Sequence, residues 1–273
     1  MDHHTTWWSF LPLYQSVQEY LNHYKPLVGP QHFLVHHVFT TAVVVILLFI
    51  MALMVRGHFS NTNQAVVPPS RFGIVALFEM VVELVMGMMS NIMGPKNARR
   101  YFPLIGSLAL YIFFSNLIGL IPGMAPPTDN LNTTAGCGIV VFLYYNYQGL
   151  RTHGFGHIAH MANPVGAWWG WFLAPLMFPI ELVGHFARPL SLSLRLMGNM
   201  IGDHAVLFSF AGLVPILVPL PFYALGFLVC IIQTAVFCIL STVYIALAVQ
   251  GHEEHEEHGH GEAHGHGKPA HAH

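Results

Sequence analysis

The sequence predicts an all-α polytopic membrane protein with about five membrane-embedded helices and one interfacial amphipathic helix, the last two long helices tilted as a hairpin. Three observations carry that expectation. Hydrophobic residues make up 54% of the chain and charged ones only 8%, and the mean hydropathy is +0.55, a composition suited to lipid as solvent. Several apolar runs approach the roughly 20 residues that a helix needs to cross about 30 Å of hydrocarbon. Nothing alternates apolar and polar residues over ten-residue units, which argues against a transmembrane barrel. A net charge of -2 gives no sign of a nucleic-acid partner. Cys137, Cys230 and Cys238 lie far apart in apolar surroundings without metal-ligand spacing, so they read as small buried hydrophobes.

Residues 1–35 lack the basic start and short apolar core of a cleaved signal, and Trp7, Trp8, Phe10 and Tyr14 suit an interface, so the segment reads as peripheral. Residues 36–250 read as the membrane domain. Its first span covers about 36–55 and ends at Arg56. Residues 57–70 are polar. The apolar stretch at about 72–93 is interrupted by Glu79 and Glu83, four residues apart and so on one helical face. An interfacial or partner-facing helix fits it better than a span. Pro95 to Arg100 supplies a basic cluster, about 104–121 is a second span carrying Ser115 and Asn116, and the loop that follows has Asp129 as its only charge. A third span at about 135–150 ends near Arg151. A fourth apolar element at about 165–185 leads into a helix at 189–210, with Pro189 expected in that helix's first turn. The last element covers 217–249.

Basic residues sort by loop. Arg56, Arg71, Lys96, Arg99 and Arg100 fall in the first loop and Arg151 in the third, whereas the second has none. The positive-inside tendency therefore places the first and third loops in the cytoplasm, with the N-terminus outside and the C-terminus cytoplasmic.

The anomaly is the stretch RPLSLSLRLMGNMIGDH, Arg188 to His204, which puts two arginines, an asparagine, an aspartate and a histidine into apolar surroundings. An arginine within a span costs about 2.5–3.5 kcal/mol on insertion scales, and more by simulation, so it persists where it faces partners, water or a substrate path. At about 100° per residue, Arg188 and Asn199 lie within about 40° of Arg195, and Gly202 within about 20° on the other side. Asp203 falls about 80° away, and His204 nearly opposite. One face thus carries Arg195, Asn199 and a glycine that permits close approach by another helix. The last element carries Gly226 and Gln233 on one face, with Tyr244 further on.

These residues resemble subunit a of F-type ATP synthases. The resemblance rests on the SLSLRLMGNMIG run around Arg195, on Glu181 fourteen residues before it, and on Gln233 ahead of Thr242, Val243 and Tyr244. It covers most of the chain from His36 to about Gln250. It implies a non-catalytic stator subunit that presses two tilted helices against a rotating ring of c subunits, alongside the peripheral-stalk subunit b, other synthase subunits and membrane lipid. The energy-transducing membrane would most simply be a bacterial inner membrane. Arg195 matches the family's essential arginine, set between two offset aqueous half-channels. Asn199 and Gln233 match polar positions near it and toward the outer half-channel, Glu181 and Ser191 match the cytoplasmic half-channel, and Asn116 matches a polar position in the second span. Arg188 and Tyr244 are secondary candidates. His204 stands where relatives carry glutamate or histidine, but the usual partner position on the last helix is Gly226 here. An Asp203/His204 outer relay is the expectation that fills this gap. No cofactor is implied, and no Gly-x4-Gly-Lys-Ser/Thr run is present, which leaves ATP chemistry to partner chains.

Other readings of single residues stay open. Asn199, Gln233 and Glu181 also fit simple hydrogen-bonding roles between helices, and Arg188 fits a headgroup contact. His153, His157 and His160 have spacing that suits metal ligands or an ordinary interfacial loop. The tail 251–273, with eight histidines and five glutamates, reads as a disordered, solvated segment. Those histidines leave a metal-ion transporter as the alternative. A di-iron oxygenase would need histidines at several span ends.

Overall fold

A computed structural model describes residues 7–23, 36–59, 73–121, 123–154, 170–211 and 219–250. The described residues form helices joined by turns, without strands. Helix α1 (Pro12–His23) follows a short 3-10 turn at Trp7–Phe10. It docks on the start of α2 (His36–Phe59) through the Trp8 indole N–H, which donates to Thr40 Oγ1 at 3.0 Å, and through Tyr14, edge-on to Phe39. These aromatics put a polar edge and an apolar body at one place, as a membrane boundary favours.

Helix α3 (Ile74–Gly119) joins two segments that the sequence reading separated. Their junction is Gly94, whose φ of 78° and ψ of 159° break the helix and turn the chain. Pro95 opens the second segment, where its missing N–H costs little. The basic cluster Lys96, Arg99 and Arg100 is therefore helical, not a loop. In the first segment Val85, Met89 and Met93 recur every fourth residue and are buried, while Glu83 stays exposed and Glu79 half-buried. That apolar stripe joins the main core.

After α3 the chain turns tightly. Gly119 allows it, because a Cβ there would meet Pro126 Cβ at 2.7 Å and Met200 Cε at 3.0 Å. A 3-10 turn at Pro127–Asp129 then leads to α4 (Leu131–His153), capped by the Asn130 side chain, which accepts from the Asn132 N–H at 2.9 Å.

Helix α5 (Gly170–Ala211) runs unbroken through Pro175, Pro179 and Pro189. Pro189 thus lies in the helix interior, not in a first turn. The proline frees the carbonyl four residues back, at His185, and the Tyr145 hydroxyl of α4 stands 3.5 Å from that oxygen. Neighbouring helices can supply such freed groups inside a membrane, which is why the proline does not end the helix. Helix α6 (Pro219–Gln250) completes the set. At 1.5 Å per residue, α5 is about 63 Å long and α6 about 48 Å, both longer than a 30 Å hydrocarbon layer, so each fits only with a strong tilt.

Helix α6 lies along α3 and also meets α4 and α5, α4 lies along α5, and α2 rests on α3. Met89, Ile105, Val141, Leu196, Phe237 and Ile245 belong to one continuous core shared by α3 to α6. The α4–α5 crossing is close at Gly138, where a Cβ would meet Ser193 Oγ at 2.5 Å and the Pro189 carbonyl oxygen at 2.9 Å. By length and composition, His36–Arg56, Val75–Gly119 and Leu220–Val249 are the candidate spans among the described residues. Helix α4 is diluted by Asn132, Thr133, Asn146 and Gln148, and α5 by its charges. His157, His160 and the histidine-rich tail lie outside the described residues.

Candidate functional site

The site is organised along α5. Leu192, Leu196 and Met200 recur every fourth residue and are buried against the core. The helical period then turns Leu194, Arg195, Asn199 and Gly202 outward, and all four are exposed. The exposed residues nearest Arg195 around the helix are Ser191, Gly198, Asn199 and Gly202, whereas Leu190 and Ile201 lie on another exposed side of α5 and Leu228, Ile232 and Ile239 are exposed on α6. Among the described residues Arg195 makes no ion pair.

Toward the start of α5, three helices bring five polar side chains together. The Glu181 carboxylate lies 3.7 Å from the Arg188 guanidinium and 3.6 Å from His185 Nε2. The other ring nitrogen of His185, Nδ1, is 3.0 Å from the Tyr145 hydroxyl. Arg188 sits over the Tyr244 ring of α6, 5.7 Å from its centroid, and Tyr145 and Tyr244 approach at 6.3 Å. The Tyr145 hydroxyl thus contacts His185 at both Nδ1 and the carbonyl oxygen, and the opposite ring nitrogen, Nε2, is directed at Glu181. The cluster therefore holds one carboxylate between a permanent cation and an imidazole.

Toward the end of α5 a cavity of about 290 Å³ opens between α5 and α6. Its lining includes Asn199, Asp203 and His204 on α5 and Gly226 on α6, with Gly119 and Leu120 from α3. Gly226 lets Leu120 pack closely on α6, since a Cβ there would meet Leu120 Cδ2 at 2.7 Å. Between the cavity and the core, the Asn199 amide donates to Gln233 Oε1 and ties α5 to α6. Gln233 is buried, whereas Asn199 is exposed at the cavity.

Along α5, Arg195 stands seven residues, or about 10 Å, from Arg188 and eight residues, about 12 Å, from Asp203. The sequence candidates thus fall into two groups with the arginine between them. Glu181, Arg188 and Tyr244 meet in one, Asn199, Asp203, His204 and Gln233 in the other. Two candidates join neither. Ser191 is exposed between the arginines and makes no side-chain hydrogen bond among the described residues. Asn116 is buried beneath the 3-10 turn, where it accepts from Thr128 Oγ1 at 2.8 Å, and it does not line the cavity. His185 and Tyr145 were not expected. For His185 the signal was present as Glu-x3-His-x2-Arg on one helical face. Tyr145 comes from another helix, forty residues away, and local periodicity carries no trace of it.

Cys137, Cys230 and Cys238 are buried and free. Among the described residues no group of three or more His, Cys, Asp or Glu side chains could hold a metal ion.

The long helix α5 thus carries an outward arginine between two polar clusters in a helical membrane protein. Comparison with known proteins makes the assignment specific. The family model described as ATP synthase A chain matches residues 38–246, and the chain belongs to that family, subunit a of F-type ATP synthases. It is 44% identical over 218 residues to ATP synthase subunit a of Sorangium cellulosum, covering 80% of this chain and 84% of that protein. It is 48% identical over 201 residues to ATP synthase subunit a 2 of Syntrophotalea carbinolica, covering 74% and 82%. With ATP synthase subunit a of Geobacter sulfurreducens it shares 43% over 226 residues, covering 83% and 94%. The chain is therefore a membrane-sector component that works with other ATP synthase subunits in ATP synthesis and ion transport.

Proposed function

We propose that this chain is the non-catalytic stator through which protons reach and leave a rotating ring of c subunits by two offset half-channels. The observation that carries the reading is the outward Arg195 of α5, which makes no ion pair among the described residues. A guanidinium stays charged when desolvated, and leaving it unpaired in lipid costs several kcal/mol at least. A carboxylate presented by a passing ring subunit would relieve that cost.

The outer half-channel is the cavity of Asn199, Asp203 and His204, with Gln233 holding Asn199 at its inner edge. Asp203 and His204 form its relay, Asp203 taking the place of the partner absent at Gly226. The cytoplasmic half-channel runs past Ser191 to Glu181, which His185 and Arg188 orient and Tyr244 screens. Asn116 supports the outer end from beneath the turn. Arg195 bars direct passage between the two because a proton meets a fixed positive charge there. Ions then cross only by riding the ring. Each proton brings about 2.3 kcal/mol per 100 mV of potential, so the arginine–carboxylate contact has to be weak enough to break at every step.

The N-terminus is outside and the C-terminus cytoplasmic, in a bacterial inner membrane, and subunit b packs beside the helices away from the ring. The test is the Arg195→Ala synthase reconstituted in liposomes. ATP synthesis driven by a proton gradient should fall below detection while ATP hydrolysis by the detergent-solubilised complex persists. Retained gradient-driven synthesis overturns the proposal.

A further inference from the structure

His204 points about 180° away from Arg195 around α5, so it does not share the arginine's outward face. The 3-10 turn Pro127–Asp129 packs against α2, α3, α4 and α5. Pro127 and Thr128 are buried, and Thr128 is tied to Asn116 of α3. The turn therefore projects Asp129 from a fixed base. Asp129 Oδ2 lies 3.6 Å from His36 Nε2 at the start of α2, and its Oδ1 is buried without a hydrogen-bond partner among the described residues. The turn also packs on α5, where Pro126 and Met200, one helical turn before His204, stand together against Gly119.

Among the described residues the surrounding groups are few. From α2 come His36 and, beside it, His37, which Asn130 Nδ2 approaches at 3.4 Å. From α5 come His204 and the neighbouring Asp203. Asn116 of α3 and Thr134 of α4, whose hydroxyl lies 3.4 Å from the Asn130 carbonyl, do not titrate. The start of α4 adds the positive end of its dipole, which favours an anion at this place.

We propose that Asp129 is a proton-relay residue of the outer path, taking protons from His36 at its mouth and passing them to His204 at the cavity. The inference rests on the half-channel reading above. It gives His204 a second carboxylate partner, supplied by a loop and not by the last helix, where Gly226 carries none. Each hop moves one proton. His36 Nε2–H gives its proton to the Asp129 carboxylate, and Asp129 gives one to the His204 imidazole, each donor returning to its basic form. Nothing else is consumed, and the sequence runs backward during ATP-driven pumping.

The test uses the whole synthase in liposomes, with ATP synthesis rate measured against the pH of the outer-facing compartment at fixed inner pH and voltage. For Asp129→Asn the rate should drop about tenfold near outer pH 7.5 but less than about threefold near pH 5.5, where abundant protons reach His204 through water. Asp129→Glu should restore the wild-type profile, and His36→Gln should shift it in the same direction as Asp129→Asn by about threefold. A wild-type profile for Asp129→Asn, or a loss equal at every outer pH, overturns the relay. If Asp129→Asn fails to assemble, the His36→Gln profile decides, and an unshifted one is fatal. Arg195→Ala separates the two layers. Synthesis by that variant sinks the half-channel reading itself, whereas its loss beside an unshifted Asp129→Asn profile sinks only the relay.

Discussion

The Asn199–Gln233 bridge joins α5 to α6 four residues from Arg195, and its two halves stand in different surroundings. Gln233 is 3% exposed, whereas Asn199 is exposed at the cavity. Asn199→Ala removes the donor to a buried amide oxygen and leaves it unsatisfied, a loss of about 1–3 kcal/mol. Gln233→Ala leaves Asn199 free to turn toward the cavity, so the lost contact itself dominates, about 0.6 kcal/mol and at most about 1.7 for hydrogen bonds between membrane helices. The double variant should resemble the worse single one, giving a coupling of about 0.6–1.7 kcal/mol. The assay is a double-mutant cycle on the thermal dissociation midpoint of the detergent-solubilised synthase, repeated on the gradient-driven synthesis rate. Additive effects in both readouts, or Gln233→Ala proving the more damaging, would refute this account of the bridge.

Tyr145→Phe removes the hydroxyl from both His185 Nδ1 and the carbonyl freed by Pro189, so it should destabilise the complex by about 1–3 kcal/mol. It should also slow synthesis more than the isosteric Tyr244→Phe, as synthesis rates and midpoints of the two variants would reveal. Gly94→Ala meets no neighbour within 4 Å but forces an alanine to a φ of 78°, a strain of about 1–3 kcal/mol that should lower the midpoint of the assembled complex without changing the pH profile of synthesis. Gly138→Ala drives a methyl group against the Pro189 carbonyl, and the resulting overpacking of α4 on α5 should lower the same midpoint by about 1–3 kcal/mol.

The class of fold was legible because composition and apolar run length are properties of the chain as a whole. The charged run from Arg188 to His204 was legible for a related reason, since charge in an apolar helix has few explanations. What periodicity could not give was the partner of each polar group. Glu181 and Arg188, seven residues apart, share a face and do meet, but Tyr145 joins them only because α4 crosses α5 at Gly138. Asp129 was visible as the lone charge of its loop, yet its place beside His36 depends on a buried turn whose seat is made by four helices. The prolines misled in the other direction. Pro189 reads locally as a helix start, and it lies within a helix because a tyrosine from elsewhere approaches the carbonyl it frees. Gly94 and Pro95 read as the end of one helix and a basic loop, whereas the chain turns within a single residue and the basic cluster is helical.

The central claim is that Arg195 faces ring carboxylates across the seam between fixed and rotating parts. A structure of the assembled synthase with its ring in place tests it through the separation of the Arg195 guanidinium from the nearest ring carboxylate. The account predicts about 4–6 Å, directly or through one water, in at least one rotary position. An arginine facing lipid or another stator chain in every rotary position, with no ring carboxylate in reach, would contradict it.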